Sequence, residues 1–408
     1  MNIMFIASDN CRTSGAFLSM TALAGLLKEK YGHNILVVLP YEGNGKELLD
    51  NAGIENVLIR SYDWTVPLSE QKNPVCRAKS AVKAVITKRK AKEIAQIMRN
   101  RDIDIVHINT SWTYVGALAA QKAQIPFIWH IREFLEEDQF RCIQNREKGY
   151  ALMRRADKVV AISESIYQKY APILGENRLT VILNGIDSAK YLNETHEIMT
   201  DDTVQFLLVG GLKEGKGQRQ ALAACAALRD KGKQNFRLRL VGSGGEEHTQ
   251  QIKQMAAELH LDGLVEFCGP RDDTPSYYGT SDIFLMCSKA EAFGRVTVEA
   301  MMGGCLVIGN NTAGTKDLIE DGVTGLLYED RNIDDLVQKI EYALEHKDEV
   351  RMIAANGRKY MAENMTAELN AEKINDLYHE VIGGGKAQAE IIILAVYAMA
   401  FRERRACA

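Results

Sequence analysis

Val204-Gln-Phe-Leu-Leu-Val-Gly-Gly-Leu-Lys-Glu-Gly-Lys216-Gly217 decides the fold. Six mostly apolar residues of strand character run into a glycine-rich turn, and good helix formers follow from Gln218. Strand, tight turn and helix in this order form the repeating unit of a parallel α/β sheet. Glycines at such a turn let backbone N–H groups and the positive end of the helix face an anion, and Lys216 adds a charge. The pattern is neither Gly-Lys-Ser/Thr nor G-x-G-x-x-G, so a tight βα turn without a ligand suits the residues equally well.

The alternation continues in both directions. Arg237 to Val241, Val265 to Phe267, Ile283 to Met286 and Leu306 to Ile308 read as strands with helical segments between them. Upstream the same holds for Ile3 to Ala7, Ile35 to Leu39, Val57 to Ile59, Ile105 to Asn109, Phe127 to His130, Lys158 to Ile162 and Thr180 to Leu183. The pattern lapses after Asn184-Gly-Ile-Asp187 in a polar stretch reaching Asp202, which reads as an interdomain linker. The expectation is an α/β chain of two doubly wound, Rossmann-like domains, 1–185 and 186–365. A helix at 366–382 is expected to pack back on the first domain, followed by an apolar and basic tail at 383–408. Open parallel sheets bind ligands beyond the carboxyl ends of their strands, so the site belongs in a cleft between the domains. A dinucleotide dehydrogenase is excluded, because the first strand leads into Ser8-Asp-Asn-Cys-Arg12 without the glycine fingerprint.

The 408 residues are 46% apolar and 25% charged, with 7 Pro, which excludes disordered and fibrous proteins. None of the 8 Cys falls in a C-x-x-C pair or beside a His cluster, so a reduced cytoplasmic chain without disulfides or zinc is expected. Nothing at the N-terminus resembles an export signal, and the apolar run Ile391 to Phe401 is shorter than the ~20 residues of a membrane span. The net charge of −4 hides +6 over residues 1–185 and −10 over 186–408. Lys72 to Arg101 holds ten Lys/Arg against Glu93 alone, with Val82, Val85, Ile86, Ile94, Ile97 and Met98 at helical spacing. This basic amphipathic helix is either a solvated face or a surface for anionic lipid headgroups or an anionic acceptor. The acidic second half argues against nucleic acid.

Ser288-Lys-Ala-Glu291-Ala-Phe-Gly294-Arg-Val-Thr-Val-Glu299-Ala-Met follows a strand ending at Met286. It therefore lies at the carboxyl edge of the second sheet, with a helix starting near Gly294 and aimed at the cleft. Buried carboxylates cost several kcal/mol unless partnered, and a polyol supplies partners, since one carboxylate accepts two hydroxyl hydrogen bonds.

Glu291-Ala-Phe-Gly294 through Glu299 resembles the E-x7-E signature of the family 4 retaining glycosyltransferases, which have the two-domain GT-B fold. Val209-Gly-Gly-Leu-Lys-Glu-Gly-Lys-Gly217 is similar to that family's phosphate turn, Ala156-Asp157 through Ser163-Glu164 to its last N-terminal strand and helix, and Asn184-Gly-Ile-Asp187 to its hinge. Together with Trp129-His130-Ile-Arg-Glu133, the motif resembles bacterial transferases of capsular and exopolysaccharide synthesis. The resemblance implies that Glu299 binds the ribose of a nucleotide sugar, expected to be a UDP-sugar, and that Glu291 lies near the donor sugar. It implies that Phe293 and Gly294 offer N–H groups, that Lys216 neutralises the diphosphate, and that Gly15, Gly210, Arg271 and Arg295 are donor-side residues. His130 matches the family's cleft histidine near the sugar. The implied acceptor is a saccharide or lipid-linked saccharide, the implied place the cytoplasm or the inner membrane face, and neither metal nor other cofactor is expected. Where many members carry Arg after the first glycine of the turn this chain has Gly211, so Arg295 or Arg219 is expected to compensate. The N-terminal loop, Arg12-Thr-Ser-Gly15-Ala16, has one glycine in place of a pair. A nucleotide-sugar epimerase of similar architecture and a partner protein without turnover are the rival readings.

Overall fold

The computed structural model describes residues 1–384. Its first sheet has seven parallel strands in the spatial order Glu55–Leu58, Asn34–Leu39, Asn2–Ile6, Ile105–Asn109, Phe127–Ile131, Lys158–Ala161 and Leu179–Val181. The second has six, in the order Val265–Gly269, Phe236–Val241, Val204–Val209, Ile283–Met286, Leu306–Asn310 and Leu326–Tyr328, also all parallel. Each order reverses beside the sheet's first strand, and the two reversal points mark where the loops part to leave a crevice.

The strands are apolar almost throughout because helices cover both faces. Ile3, Phe5, Val37, Ile105 and Val160 face one way, onto helix Gly15–Tyr31. Met4, Ile6, Val38, Val106 and Val159 face the other, onto helices Pro74–Asn100 and Val115–Ala123. Local chemistry sets the helix ends. Ser14 accepts the Phe17 N–H and Gly32 turns left-handed at φ +65° to stop the first helix. Asn73 accepts the Val75 and Cys76 N–H groups ahead of Pro74, opening the basic helix close to its expected bounds.

Three features depart from the sequence expectation. The antiparallel pair Thr65–Pro67 and Arg141–Ile143 and the edge strand Leu326–Tyr328 were not anticipated, because three-residue strands carry no readable period. The polar stretch after Asp187 is not a free linker but is fastened to the second domain. Ile198 and Met199 are buried, Arg351 donates to both of their carbonyls, and Asp282 accepts the Met199 N–H at 2.5 Å. The tail lies outside the described residues from 385 onward.

The chain crosses between domains twice, side by side. Ile186 N–H donates to Met365 O at 2.9 Å, and Ala367 N–H returns a bond to Ile186 O at 3.0 Å. The helix over 367–384 then lays Ala371, Ile374, Leu377 and Tyr378 against the first sheet. At the crossing, Gly185 leaves no room for a side chain: a Cβ there would lie 2.4 Å from Thr366 O. Gly185→Ala is expected to lower stability by about 1 to 3 kcal/mol, the usual cost of overpacking a tight contact. Thermal unfolding checks it, and a melting temperature equal to wild type would mean that the two crossings separate freely.

Candidate active site in the interdomain cleft

A cavity of about 570 Å³ lies between the carboxyl edges of the two sheets. Gly15, Gly210, Lys216, Arg271, Glu291, Phe293, Gly294, Arg295 and Glu299 all line it. Its phosphate-turn wall is made by backbone packed against backbone. Gly217, at φ +82°, passes so close to Cys287 that a Cβ would sit 2.1 Å from the carbonyl oxygen. A Cβ on Gly242 would lie 2.0 Å from Gly210 O, and one on Gly244 would lie 1.9 Å from Leu212 O. The second glycine turn, Gly242 to Gly245, thus braces the first. Gly217 and Gly294, the latter at φ +90°, open helices Gln218–Asp230 and Arg295–Met302 with no side chain over the first N–H groups.

Lys216 is the electrostatic centre. Its Nζ lies 2.6 Å from Glu291 Oε1 and 3.4 Å from Oδ1 of Asp138, which comes from the first domain. Burial works against the ammonium charge, and the two carboxylates outweigh it, so the pKa of Lys216 is raised. Burial pushes Glu291 up in turn, and Lys216's charge and hydrogen bond bring it below the ordinary carboxylate value. Glu299 is buried under two donors, Tyr278 Oη at 3.0 Å and Arg295 at 3.2 Å. Arg295 also donates to Ser19 Oγ at 2.9 Å and lies over the first turn of the N-terminal helix. Further ties across the cleft are Arg12 to Asp272 at 3.7 Å and Ser165 N–H to Asp317 at 2.7 Å.

Two residues that the motif reading did not assign form part of the first-domain wall. Arg132 and Glu133, just past strand Phe127–Ile131, both line the cavity. Arg132 donates to Asn109 Oδ1 at 2.6 Å, and burial lowers its pKa to about 9 against the pull of Glu133. Glu133 accepts the Ser111 N–H and hydroxyl at one oxygen and the Arg132 N–H at the other, yet burial pushes it up to about 7. The sequence marks them as a charged pair directly after an apolar strand at the carboxyl edge, within the Trp129 to Glu133 motif.

His130 is placed differently from expectation. It has no exposed surface and does not line the cavity. Its Nδ1 lies 3.0 Å from His107 Nε2 and 3.2 Å from Arg132, while His107 meets Tyr378 Oη of the returning helix at 2.6 Å. Burial, Arg132 and His107 hold its pKa well below the usual value, so the ring is neutral, and its Nε2 has no partner. Its partner Arg132 lines the cavity and His130 does not. Nor does Arg219 replace the cation missing at Gly211: it turns outward to Gln251 at 3.1 Å, whereas Arg132, Arg271 and Arg295 reach the cavity. Among the described residues, no three His, Cys, Asp or Glu side chains are arranged to hold a metal ion.

Two facing doubly wound domains with the cavity between their carboxyl edges define the GT-B fold. Glycosyltransferase family models match both domains of the chain. The family model "Glycosyltransferase Family 4" matches residues 22–190 and "Glycosyl transferases group 1" matches 195–360. The chain is 23% identical to N-acetyl-alpha-D-glucosaminyl L-malate synthase of Bacillus anthracis over 72% of this chain and 80% of that one. It is 25% identical to the capsular polysaccharide biosynthesis glycosyltransferase CapM of Staphylococcus aureus, over 55% and 62% respectively. Among solved structures, Anabaena HepE in complex with UDP and glucose superposes with a TM-score of 0.76 at 23% identity, covering 93% of this chain and all of that one. A glycosyltransferase from Rickettsia africae superposes at 0.78 and 22% identity, covering 93% and 98%. At these identities the structural likeness is one of fold.

Glu133 gives this wall a pH signature. A folded-state value near 7, against 4.5 for the ordinary glutamate, means that the folded protein holds a proton that the unfolded chain releases. Its favourable contribution is therefore fully present below about pH 4.5 and is lost as pH rises through 7. Relative to Glu133→Gln, the wild-type protein is expected to lose about 3 kcal/mol of stability between these limits. Denaturant titrations of both proteins at pH 5 and pH 8 measure it, and a constant difference would show that Glu133 is ionised throughout.

Proposed function

We propose that this chain is a retaining glycosyltransferase that moves a sugar from a nucleotide sugar, a UDP-sugar, to a saccharide or lipid-linked saccharide in cell-surface polysaccharide synthesis. The observation that carries the reading is the convergence of Glu299, the Lys216–Glu291 pair and the uncapped Gly294 helix start on one cavity between two domains. The presence of UDP, and of UDP-glucose, in HepE structures of the same fold supports the donor class, and CapM's part in capsular polysaccharide biosynthesis supports the polysaccharide context.

In this reading the Glu299 carboxylate takes the ribose hydroxyls, and the N–H groups at Phe293 and Gly294 meet the phosphate. Lys216 exchanges part of its carboxylate pairing for the diphosphate, whose charge Arg271, Arg295 and Arg132 share. The anomeric C–O bond breaks as the nucleoside diphosphate leaves with the bond's electron pair. The acceptor hydroxyl forms its new bond on the same face, and its proton passes to the departing phosphate. Catalysis then consists of charge stabilisation and orientation. His130 acts through Arg132 and is a positioning residue. The fixed cations and helix ends take the role that a divalent metal plays elsewhere.

Glu299→Ala is expected to weaken UDP binding by about 1.5 to 3 kcal/mol, the worth of hydrogen bonds to a charged group. Titration calorimetry decides it, and undiminished affinity removes Glu299 from the site. Transfer from a UDP-sugar is expected to require an acceptor, to persist in EDTA, and to fall by orders of magnitude in Lys216→Ala. Conversion of the donor without acceptor would instead support an epimerase, and activity abolished by EDTA and restored by magnesium or manganese would contradict the metal-free mechanism.

On the acceptor side we place the enzyme at an anionic membrane surface. Helix Pro74–Asn100 leaves Val75, Val82 and Val85 between 52% and 62% exposed among its cations, and no described helix is long and apolar enough to cross a membrane. Sedimentation with vesicles should require anionic lipid and decline with salt. Equal binding to neutral vesicles would leave this helix a solvated face.

A further inference from the structure

A second cavity, of about 770 Å³, lies in the first domain and shares no lining residue with the transfer cleft. Helix Pro74–Asn100 forms one wall, and helices Val115–Ala123 and Arg146–Met153 form the others. Arg77, Ala81, Ala84 and Lys88 follow the spacing of one helix face, so a strip of methyl groups runs along the trough with a cation at each end. The floor is apolar and aromatic, with Trp64, Tyr114, Leu118 and Ile143. Trp64 stacks on Tyr114 at 4.7 Å.

The charge around this trough is one-sided. Lys72, Arg77, Lys88, Lys148 and Arg155 line it against a single acid, Asp63, which itself lies 3.9 Å from Arg141. None of the five cations is within salt-bridge distance of a carboxylate among the described residues, although carboxylates pair with lysines and arginines elsewhere on the surface. A free anion would leave the apolar floor wet, and a neutral chain would leave five cations unanswered. The two features together match a molecule with an apolar chain and an anionic head.

We propose that this trough seats one anionic lipid, its chain along Ala81, Ala84 and Leu118 and its phosphate among the rim cations. The source of the lipid follows from the membrane reading above, while the trough stands on its own residues. Residues 385–408 include Arg402-Glu-Arg-Arg405 and are a poor occupant, because their basic groups would meet a basic rim. Trp64 also links the trough to the cleft: its Nε1 donates to Ser111 O at 2.7 Å, and the Ser111 N–H donates to Glu133.

The test uses the full-length chain without vesicles, titrated with dodecyl phosphate below its micellar concentration and followed by tryptophan fluorescence. Inorganic phosphate and dodecyl maltoside are the comparators. Dodecyl phosphate should bind at least tenfold more tightly than dodecyl maltoside, inorganic phosphate should leave the signal unchanged, and Trp64→Phe should remove most of the response. Ala84→Phe, which fills the trough, should weaken binding at least tenfold while leaving UDP affinity unchanged, with Ala81→Phe as a second filling variant. Lys72→Gln, Arg77→Gln and Lys88→Gln together should bring dodecyl phosphate to the level of the maltoside. Equal affinity for the two detergents, binding of inorganic phosphate alone, indifference to both filling variants, or no binding would each overturn the proposal. So would binding that emerges only when residues 385–408 are removed, which would make the tail the occupant. UDP affinity is read separately, so failure here leaves the transfer reading intact, and the reverse also holds.

Discussion

A buried lysine held between two carboxylates, one from each domain, is the interaction on which the cleft depends. An ammonium group inside a protein is costly unless it is paired at hydrogen-bonding distance. Glu291 pairs with Lys216 from within the second domain, and Asp138 reaches the same nitrogen from the first. The pairing holds a full positive charge at the centre of the cavity and draws the walls together through it. An incoming diphosphate would meet a cation that is already desolvated and aimed, and would compete with side chains that can turn away. Arg295, bridging Ser19 and Glu299, repeats this on a smaller scale.

The backbone does much of the remaining work. Where the phosphate turn packs on Cys287 and on the Gly242 to Gly245 turn, carbonyl oxygens occupy the places where side chains would otherwise start. Two helices therefore begin on bare N–H groups, and the Gly294 start lies at the cavity wall. Gly211 brings no cation to the turn, whereas Arg132 lines the opposite wall on the first domain with its planar group fixed by Asn109 and in contact with His130. That arrangement puts a neutral histidine behind the arginine, which suits a site where a second buried positive charge would be repelled.

The returning helix joins these features to the domain crossing. Tyr378 reaches His107, His107 reaches His130, and His130 reaches Arg132, so a residue more than 240 positions away in the chain supports the first-domain wall. The hydrogen bonds beside Gly185 fix where that helix starts. Domain connection and site geometry are thus one structural problem.

The local grammar of strand, glycine turn and helix was legible from residues alone. Val204 to Gly217 states its own structure, and Glu291 and Glu299 declare themselves as carboxylates at a sheet edge, because each signal lies within a dozen neighbouring residues. Elements of three residues, such as Leu326–Tyr328, were not legible, since pairing with a neighbouring strand is what makes them strands. The same limit applied to Ile198 and Met199, whose burial depends on Arg351 and Asp282 far along the chain. The order along a strand places His130 at its end, but which of its neighbours lines the cavity is a matter of packing, and Arg132 does. Sequence by itself determined the two α/β domains and the edge residues, because periodicity and turn chemistry are local. Only the tertiary structure decided that Asp138 shares Lys216 with Glu291, that Glu133 is driven toward neutrality, and that the basic helix walls a trough, because burial and charge pairing arise between segments that meet only after folding.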